Sequence, residues 1–312
     1  MKIGILGAGY IANEHLKVLS SIKSVKLISI FSRTKKKSLT LYKKYNIQKI
    51  DESFKDFISS NKFDGIYVLV SAEENYKILK KLIPYSIPLF IEKPAGLNPK
   101  ETLQLVKLAD EYKTINLVGY NRRFYSIFTQ CLPLISNKSE ISNIIIEGHE
   151  RFWKLPNDLS KKIKDNWIYS NSTHTIDLLL YFGGDIKKIY NFNKNNNNEK
   201  NYTSIVLFQN NIIGSYQSNW STPSGWSVRI YTNKYYIHFQ PLEEGYYVDK
   251  QFKKKYFTQK KYDKIYKTGF YMQTKNFLKL IKNKKIEWPA VDLKKTYKTM
   301  KLAKSIKNGD LI

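Results

Sequence analysis

A histidine stands between a hydroxyl and a carboxylate in the stretch "SNSTHTID", residues 170–177. The apolar residues and the glycine pair that follow predict a helix over 172–182. Ser170 precedes His174 by four residues and Asp177 follows it by three, so the three share one side of such a helix. Because imidazole titrates near neutral pH, His174 is a candidate for proton transfer. The alternative is a histidine that only packs in a core.

A glycine-rich turn lies between the first strand pattern and the first helix pattern. The stretch "GAGYIA" fits the G-x-G-x-x-A fingerprint of dinucleotide-binding folds, in the context that the fingerprint requires. The first glycine makes the tight turn, the second lets the backbone approach a pyrophosphate, and the helix N-terminus supplies N–H groups. The alternative is a merely structural turn. The predicted cofactor contacts here are Gly7, Gly9, Tyr10, Ile11 and Ala12.

The end of the second predicted strand indicates which dinucleotide is preferred. A site for NAD places a carboxylate about 20 residues after the glycines, where it binds the ribose 2′-hydroxyl. This chain has Ser32, Arg33 and Thr34 there, and lysines follow. A guanidinium with two hydroxyls suits a 2′-phosphate, which favours NADP over NAD. The alternative is a surface arginine on a basic protein.

The elements that must position these groups fall into two kinds. Strand and helix patterns alternate through residues 1–121, which predicts an α/β Rossmann domain with a doubly wound parallel sheet. From about Ser142, longer strand patterns follow one another with few helices between them. They predict an open, mostly antiparallel sheet in an α+β domain over 122–312. The last helix pattern, about 291–308, is expected to pack back toward the Rossmann domain.

Composition limits the class of protein. A length of 312 residues suits two domains, and the single cysteine, Cys131, rules out an intrachain disulfide and fits a reducing compartment. No leader pattern and no apolar run of membrane-spanning length is visible, so we expect a cytoplasmic protein without a membrane partner.

The chain is strongly basic, with 53 Lys and Arg against 26 Asp and Glu and a formal net charge of +27. Such a field favours anionic partners. The lysines are scattered, however, and the composition is rich in Lys, Asn and Ile throughout. A solvated surface is therefore favoured over a nucleic-acid face, and no nucleic-acid partner is expected.

The order of the motifs resembles the Gfo/Idh/MocA oxidoreductases. The glycine turn is followed by "EKP" at 92–94, "GYNRRF" at 119–124, "HTID" at 174–177 and a strand-rich second half. The resemblance implies hydride transfer between a nicotinamide cofactor and a secondary alcohol or ketone, usually of a sugar or cyclitol. Later segments resemble members linked to surface-polysaccharide and nucleotide-sugar pathways, which suggests a nucleotide-linked or anionic sugar.

The resemblance also implies two catalytic residues. Lys93 would lie beside the nicotinamide and the substrate hydroxyl, where its charge would stabilise a developing alkoxide. His174 would be the acid/base. Taken alone, Lys93 could be a solvated lysine at a strand end. The resemblance implies no metal, and it implies a homo-oligomer formed through the face of the second sheet.

The remaining site residues are carried over from the matching motifs. Arg122 and Arg123 suit an anionic substrate, and an interdomain salt bridge is the alternative for both. Trp167 could line the nicotinamide pocket or belong to the core, and Trp226 could wall the sugar site together with Trp220. The further predicted cofactor contacts are Ser71, Glu92, Lys93, Asn121 and Arg122. The predicted substrate contacts are Lys93, Arg123, Trp167, Ser170, His174 and Asp177.

Two departures from the family pattern leave a second hypothesis open. Many members carry Asp four residues before the histidine, where this chain has Ser170, which cannot supply a charge at neutral pH. Asp177 could orient the His174 ring or could be a buried carboxylate satisfied by backbone N–H groups. The loop at Ser71 also lacks the usual Thr-Pro-Asn. The alternative function is a non-catalytic protein that binds a dinucleotide or a sugar.

Overall fold

The chain divides into two units. The structure is a computed structural model that describes residues 1–137, 140–195 and 199–309. The first unit comprises Met1–Asn121 and Ile265–Tyr297, and the second comprises Arg122–Lys264 and Lys298–Ile312. The sequence-based prediction also places a boundary after residue 121, with residues 122–312 as the second domain. Residues 265–297 differ from the prediction, because they cluster with the first unit.

The strands form two separate sheets. Those of the first unit are β1 (Lys2–Leu6), β2 (Lys26–Phe31), β3 (Lys49–Ile50), β4 (Gly65–Val68), β5 (Leu89–Ile91) and β6 (Asn116–Val118). Those of the second unit are β7 (Ile141–Gly148), β8 (Ile186–Asn195), β9 (Lys200–Phe208), β10 (Ile213–Asn219), β11 (Trp226–Thr232), β12 (Tyr235–Phe239), β13 (Gly245–Asp249) and β14 (Lys254–Tyr256).

The helices fall on both sides of residue 122. They are α1 (Tyr10–Ser20), α2 (Lys35–Tyr45), α3 (Phe54–Ser59), α4 (Ala72–Leu82), α5 (Pro99–Glu111), α6 (Ser126–Cys131), α7 (Lys161–Asp165), α8 (Thr173–Gly183), α9 (Lys261–Ile265), α10 (Phe270–Asn283) and α11 (Leu293–Asn308). None of the described helices combines the length and the hydrophobicity that crossing a membrane requires.

The sheet of the first unit is parallel, in the strand order β3-β2-β1-β4-β5-β6. This order confirms the predicted Rossmann fold. Its strands are buried on both faces, as the continuous apolar runs of β1, β4 and β5 require. Ligands bind such sheets beyond the carboxyl ends of the strands, where the strand order reverses.

Helix α10 completes the core of the first unit. The ring of Phe270 stacks on His15 with centroids 4.4 Å apart, and Phe277 meets Tyr67 and Phe90 edge-on at 5.2 and 5.7 Å. All five rings are buried. The apolar positions of α10 fit this surface, which explains why residues 265–297 belong to the first unit.

The sheet of the second unit has the order β14-β13-β12-β11-β7-β10-β9-β8. Strands β7 and β10 pair in parallel, and the other described pairs are antiparallel. The mostly antiparallel sheet that the sequence predicts is thus confirmed. Residues alternate along β9 between the buried face and the exposed face, and helix α8 is almost wholly buried in the same core.

Helix α11 belongs to both units. Leu293 is buried in the core of the first unit, and its backbone N–H donates to Oδ1 of Asn116 at 2.8 Å. Ala303 and Ile306 are buried in the core of the second unit. Residues 310–312, the end of the predicted second domain, lie outside the described residues.

Candidate active site

A cavity of about 370 Å³ lies at the carboxyl ends of β1, β2 and β4. The lining comes from the turn after each of these strands and from the first turns of α4. Ala12 is buried in α1 and lies outside this lining. The structure thus brings most of the predicted cofactor residues of the first unit to one cavity. The predicted residues that line it are Gly7, Gly9, Tyr10, Ile11, Ser32, Arg33, Thr34 and Ser71.

The two glycines of the turn have the properties that a pyrophosphate site needs. Gly7 has φ +107°, and a Cβ there would lie 2.3 Å from the carbonyl oxygen of Leu69, so only glycine fits. A Cβ on Gly9 would meet nothing within 4 Å. The space beside Gly9 is open, and the unpaired N–H groups of the first turn of α1 follow it. The residues present therefore fit the phosphates of a dinucleotide.

The carboxylate of Glu74 lies beside Arg33 in the lining of this cavity. Nη1 of Arg33 lies 3.6 Å from Oε2 of Glu74, and the arginine side chain is 76% exposed. Glu74 and Lys37 both line the cavity. Glu74 was not predicted from the sequence, because the fingerprint places the acidic residue at the end of β2 and Glu74 lies on α4. The site holds a guanidinium that suits a 2′-phosphate and a carboxylate that can accept from a ribose hydroxyl.

The backbone around Lys93 is clamped from α4. Lys93 follows β5, and Nδ2 of Asn75 donates to the carbonyl oxygens of Glu92 at 2.6 Å and of Pro94 at 2.9 Å. Asn75 is buried, and the Lys93–Pro94 peptide bond is cis. The carbonyls on both sides of Lys93 are thus fixed by one side chain. Asn75 was missed by the sequence analysis, although a polar residue at an inward position of an amphipathic helix is a usable signal.

Two predicted cofactor contacts have protein partners in the first unit. Oε2 of Glu92 lies 3.4 Å from Nε2 of His15, which is fully buried. Nδ2 of Asn121 donates to the carbonyl oxygen of Thr268 at 2.9 Å. Asn121 therefore binds the segment 265–297 of the first unit. Its contact with a cofactor stays a prediction.

The predicted acid/base of the second unit is paired with an arginine. Nη1 of Arg122 lies 2.7 Å from Nε2 of His174. The guanidinium also lies over the ring of Trp226 at 5.0 Å, and the His174 and Trp226 rings are 6.1 Å apart. Because arginine stays protonated and only donates, Nε2 of His174 must accept. The lone pair of Nε2 is therefore occupied by the guanidinium, and Nε2 can act as a general base only when Arg122 moves away from it.

Ser170, four residues before His174, lies in a helical turn of a type that the sequence does not predict. Residues Ile168–Ser172 form a π-helical turn, and α8 begins only at Thr173. Ser170 therefore lies in the π-helical turn and His174 in the first turn of α8, so the two residues do not belong to one regular α-helix. Ser170 is buried, as is His174.

Asp177 belongs to an ion pair rather than to His174. Its carboxylate accepts from Nε of Arg123 at 2.5 Å and from Nη2 at 2.9 Å, and Oγ1 of Thr299 donates to it at 2.9 Å. Arg123 and Asp177 are both buried. The sequence suggests Asp177 as a group that could orient His174. Arg123 and Asp177 are also both predicted substrate contacts. Their side chains bind each other because a buried charge needs a partner.

A second cavity, the Trp226 pocket, has a volume of about 700 Å³ and lies wholly in the second unit. It is lined by Trp167 and by parts of the segments 149–155, 223–226 and 240–243. Trp167 and Trp226 both line this pocket, and their contact with a ligand stays a prediction. Trp220 differs, because it is buried and stacks on Phe152 with centroids 5.3 Å apart. Across the described part of the chain, no group of three or more His, Cys, Asp or Glu side chains is placed to hold a metal ion.

Residues 1–120 match the GFO_IDH_MocA family, described as an oxidoreductase family with an NAD-binding Rossmann fold. This N-terminal part of the chain is therefore similar to the Gfo/Idh/MocA oxidoreductases. A Salmonella typhimurium protein named as an oxidoreductase, YceM, is 26% identical over 185 residues. That match covers 59% of this chain and 57% of the relative, so the chain matches little more than half of the relative's length.

Solved structures share the fold over nearly the whole chain. A dehydrogenase from Chromobacterium violaceum is 14% identical with a TM-score of 0.86, and the match covers 99% of this chain and 95% of that one. A UDP-N-acetylglucosamine 3-dehydrogenase from Acidithiobacillus ferrooxidans is 15% identical with a TM-score of 0.79, covering 99% and 97%. At this identity the likeness shows the shared fold alone.

Proposed function

We propose that the protein is an NAD(P)-dependent oxidoreductase that transfers hydride between nicotinamide and a secondary alcohol or ketone of a sugar. The observation that carries the proposal is the cavity at the glycine turn, with Gly9 open to it and Arg33 and Glu74 at its other side. The similarity of residues 1–120 to the Gfo/Idh/MocA family supports it. In the second unit, the ring of His174 lies 6.1 Å from that of Trp226, which lines a pocket of ligand size.

Two side chains of this protein would serve the reacting hydroxyl. A bound nicotinamide dinucleotide supplies the hydride acceptor or donor. When the substrate hydroxyl replaces Arg122 at Nε2 of His174, that nitrogen takes the hydroxyl proton as the alcohol is oxidised and returns it in the reverse reaction. The ammonium of Lys93 stabilises negative charge on that oxygen, and Asn75 holds the backbone from which Lys93 projects. The buried hydroxyl of Ser170 would bind a substrate hydroxyl.

The substrate we propose is a nucleotide-linked or otherwise anionic sugar, used in making a surface glycan. A UDP-N-acetylglucosamine 3-dehydrogenase shares the fold, which supports a sugar nucleotide as one form of this substrate. The net charge of +27 favours an anionic ligand in either form.

Cofactor binding and turnover test the function together. Purified protein would be titrated with NADH and NADPH by fluorescence and then assayed against a panel of neutral sugars, sugar phosphates and UDP-sugars. The proposal expects tight binding of one dinucleotide and turnover of at least one sugar. Tight binding without turnover of any panel member would favour the non-catalytic alternative instead.

The Arg33→Asp variant tests the proposed preference for NADP. We expect the ratio of NADPH to NADH affinity to fall by roughly 10-fold or more, because a charge-assisted bond to the 2′-phosphate is lost. Lys36→Ala is the matched control, since Lys36 is exposed on α2 and does not line the cavity. An unchanged ratio in Arg33→Asp would count against the role, and loss of NADH binding in Glu74→Gln would assign the ribose hydroxyl to Glu74.

We also propose a homo-oligomer formed through the exposed face of the second sheet. Tyr190 and Phe192 on β8, Ile205 on β9 and Ile213 on β10 are each at least 40% exposed, and Tyr190 lies directly opposite Ile205. A contiguous apolar patch of this kind indicates an interaction surface.

Phe192→Glu should convert the oligomer to a monomer, because a carboxylate would have to be buried unpaired in the interface. Light scattering on size-exclusion chromatography measures the mass. Tyr85→Glu in the first unit, an exposed aromatic outside the patch, is the control that should remain oligomeric. A monomeric wild-type protein would refute this part of the proposal.

A further inference from the structure

Two cations lie side by side at the mouth of the Trp226 pocket. Arg151 and Lys154 line the pocket and have exposed side chains. Arg151 precedes a 3₁₀ turn at Phe152–Lys154 and Lys154 ends it, and the N–H of Lys154 donates to the carbonyl oxygen of Arg151 at 2.9 Å. Residues three apart eclipse one another in a 3₁₀ turn, so both cations stand on the same side of it.

No carboxylate among the described residues neutralises the charges of this pair. Within residues 1–137, 140–195 and 199–309, neither Arg151 nor Lys154 has a carboxylate within 4.0 Å. Nε of Arg151 donates to the carbonyl oxygen of Ser224 at 3.2 Å, which fixes the guanidinium at the pocket wall. A held guanidinium beside a lysine forms a site for a group with more than one negative oxygen.

The inner part of the pocket has the opposite character. The carboxylate of Glu150 is buried and accepts from Nδ2 of Asn171 at 2.9 Å and Oγ of Ser172 at 2.7 Å. Oε1 of Glu243 accepts from the hydroxyl of Tyr125 at 2.8 Å. Ionised carboxylates only accept, so they suit the hydroxyl donors of a neutral polyol and repel an anion.

Indole rings supply the walls between these two parts. Trp167 and Trp226 are half-buried in the lining, and their faces suit the apolar C–H face of a pyranose ring. Trp226 also contacts Arg122 and lies next to His174. A sugar ring on Trp226 would therefore be held close to the proposed acid/base.

We infer that the Trp226 pocket binds a phosphorylated sugar, with the phosphoryl group on Arg151 and Lys154 and the ring hydroxyls on Glu150 and Glu243. This inference rests on the proposed function for the chemistry at His174, but it concerns binding alone. A phosphate monoester and a nucleotide diphosphate share the recognised chemistry. A uronate offers only one negative charge, and a neutral sugar offers none.

Calorimetry without any dinucleotide tests the inference. The probes are glucose, glucuronate, glucose 6-phosphate, UDP-glucose and inorganic phosphate. We expect at least one phosphorylated sugar to bind about 10-fold or more tightly than glucose, and the double variant Arg151→Gln/Lys154→Gln to abolish that advantage. Lys162→Gln, an exposed lysine of α7 outside the pocket, should retain wild-type affinity. Comparing the affinities of glucose 6-phosphate and UDP-glucose shows whether the pocket prefers a phosphate monoester or a nucleotide diphosphate.

Three results would overturn the inference. They are equal affinity for glucose and both phosphorylated sugars, unchanged affinity in the double variant, or equal affinity for inorganic phosphate and the sugar phosphates. Circular dichroism shows whether the double variant is folded. If it is not, the single variants Arg151→Gln and Lys154→Gln are measured in its place, and each should weaken binding of the phosphorylated sugar. Binding without turnover would defeat only the proposed function, whereas turnover of a neutral sugar alone would defeat only this inference.

Discussion

Lys93→Ala should lower kcat by roughly 10²- to 10³-fold, because removing one group that stabilises a developing oxyanion costs about that much. Dinucleotide affinity should stay close to that of the wild type, since the cavity at the glycine turn is lined from β1, β2, β4 and α4. Steady-state kinetics on the best substrate of the panel, with fluorescence titration of the cofactor, measures both quantities.

Two comparisons decide whether this loss belongs to catalysis. Lys107→Ala, an exposed lysine of α5, should leave kcat unchanged. His174→Asn should also lower kcat by roughly 10²- to 10⁴-fold, because it removes the proposed general base. If the Lys93→Ala protein has the kcat of the wild type, Lys93 is not catalytic and is a solvated lysine at a strand end.

Asp177→Ala should destabilise the second unit by roughly 3–5 kcal/mol, because it leaves the buried guanidinium of Arg123 without its carboxylate. For a unit of this size, that corresponds to a fall in Tm of roughly 10 °C. Differential scanning calorimetry measures it. Thr299→Val, which removes only one hydrogen bond to the same carboxylate, should cost about 1 kcal/mol.

The double variant Arg123→Met/Asp177→Leu separates structure from substrate binding. Replacing both buried charges by apolar groups should recover most of the lost stability. If the pair is structural, the double variant should also keep a KM near that of the wild type. A stable double variant with a strongly raised KM would instead restore Arg123 and Asp177 as substrate contacts.

The sheets and the glycine turn were predictable because their signals are local. The turn at Gly7 and Gly9 sits directly between β1 and α1, and the change from alternating to consecutive strands shows in the sequence after residue 121. The cavity at the glycine turn follows from the same rule, since the carboxyl ends of parallel strands meet at one edge.

The partners of the charged residues could not be predicted in the same way. Arg123 and Asp177 are 54 positions apart, and Thr299 lies 122 positions beyond Asp177, so only the tertiary fold brings the three together. Glu74 reaches Arg33 because β4 lies beside β1 and β1 beside β2. Helix spacing suggests Asp177 as the partner of His174. Asp177 instead pairs with Arg123, because a buried guanidinium is strongly destabilising unless a carboxylate compensates its charge.

The two-segment composition of the first unit also sets an order of events during synthesis. Its parallel sheet is complete at β6, but Phe270 and Phe277, which cover His15, Tyr67 and Phe90, are translated roughly 10–30 s later. During that interval the nascent chain carries an uncovered aromatic surface, while most of the second unit emerges from the ribosome. A gene shortened after residue 121 would encode all six strands and would still leave that surface open to aggregation.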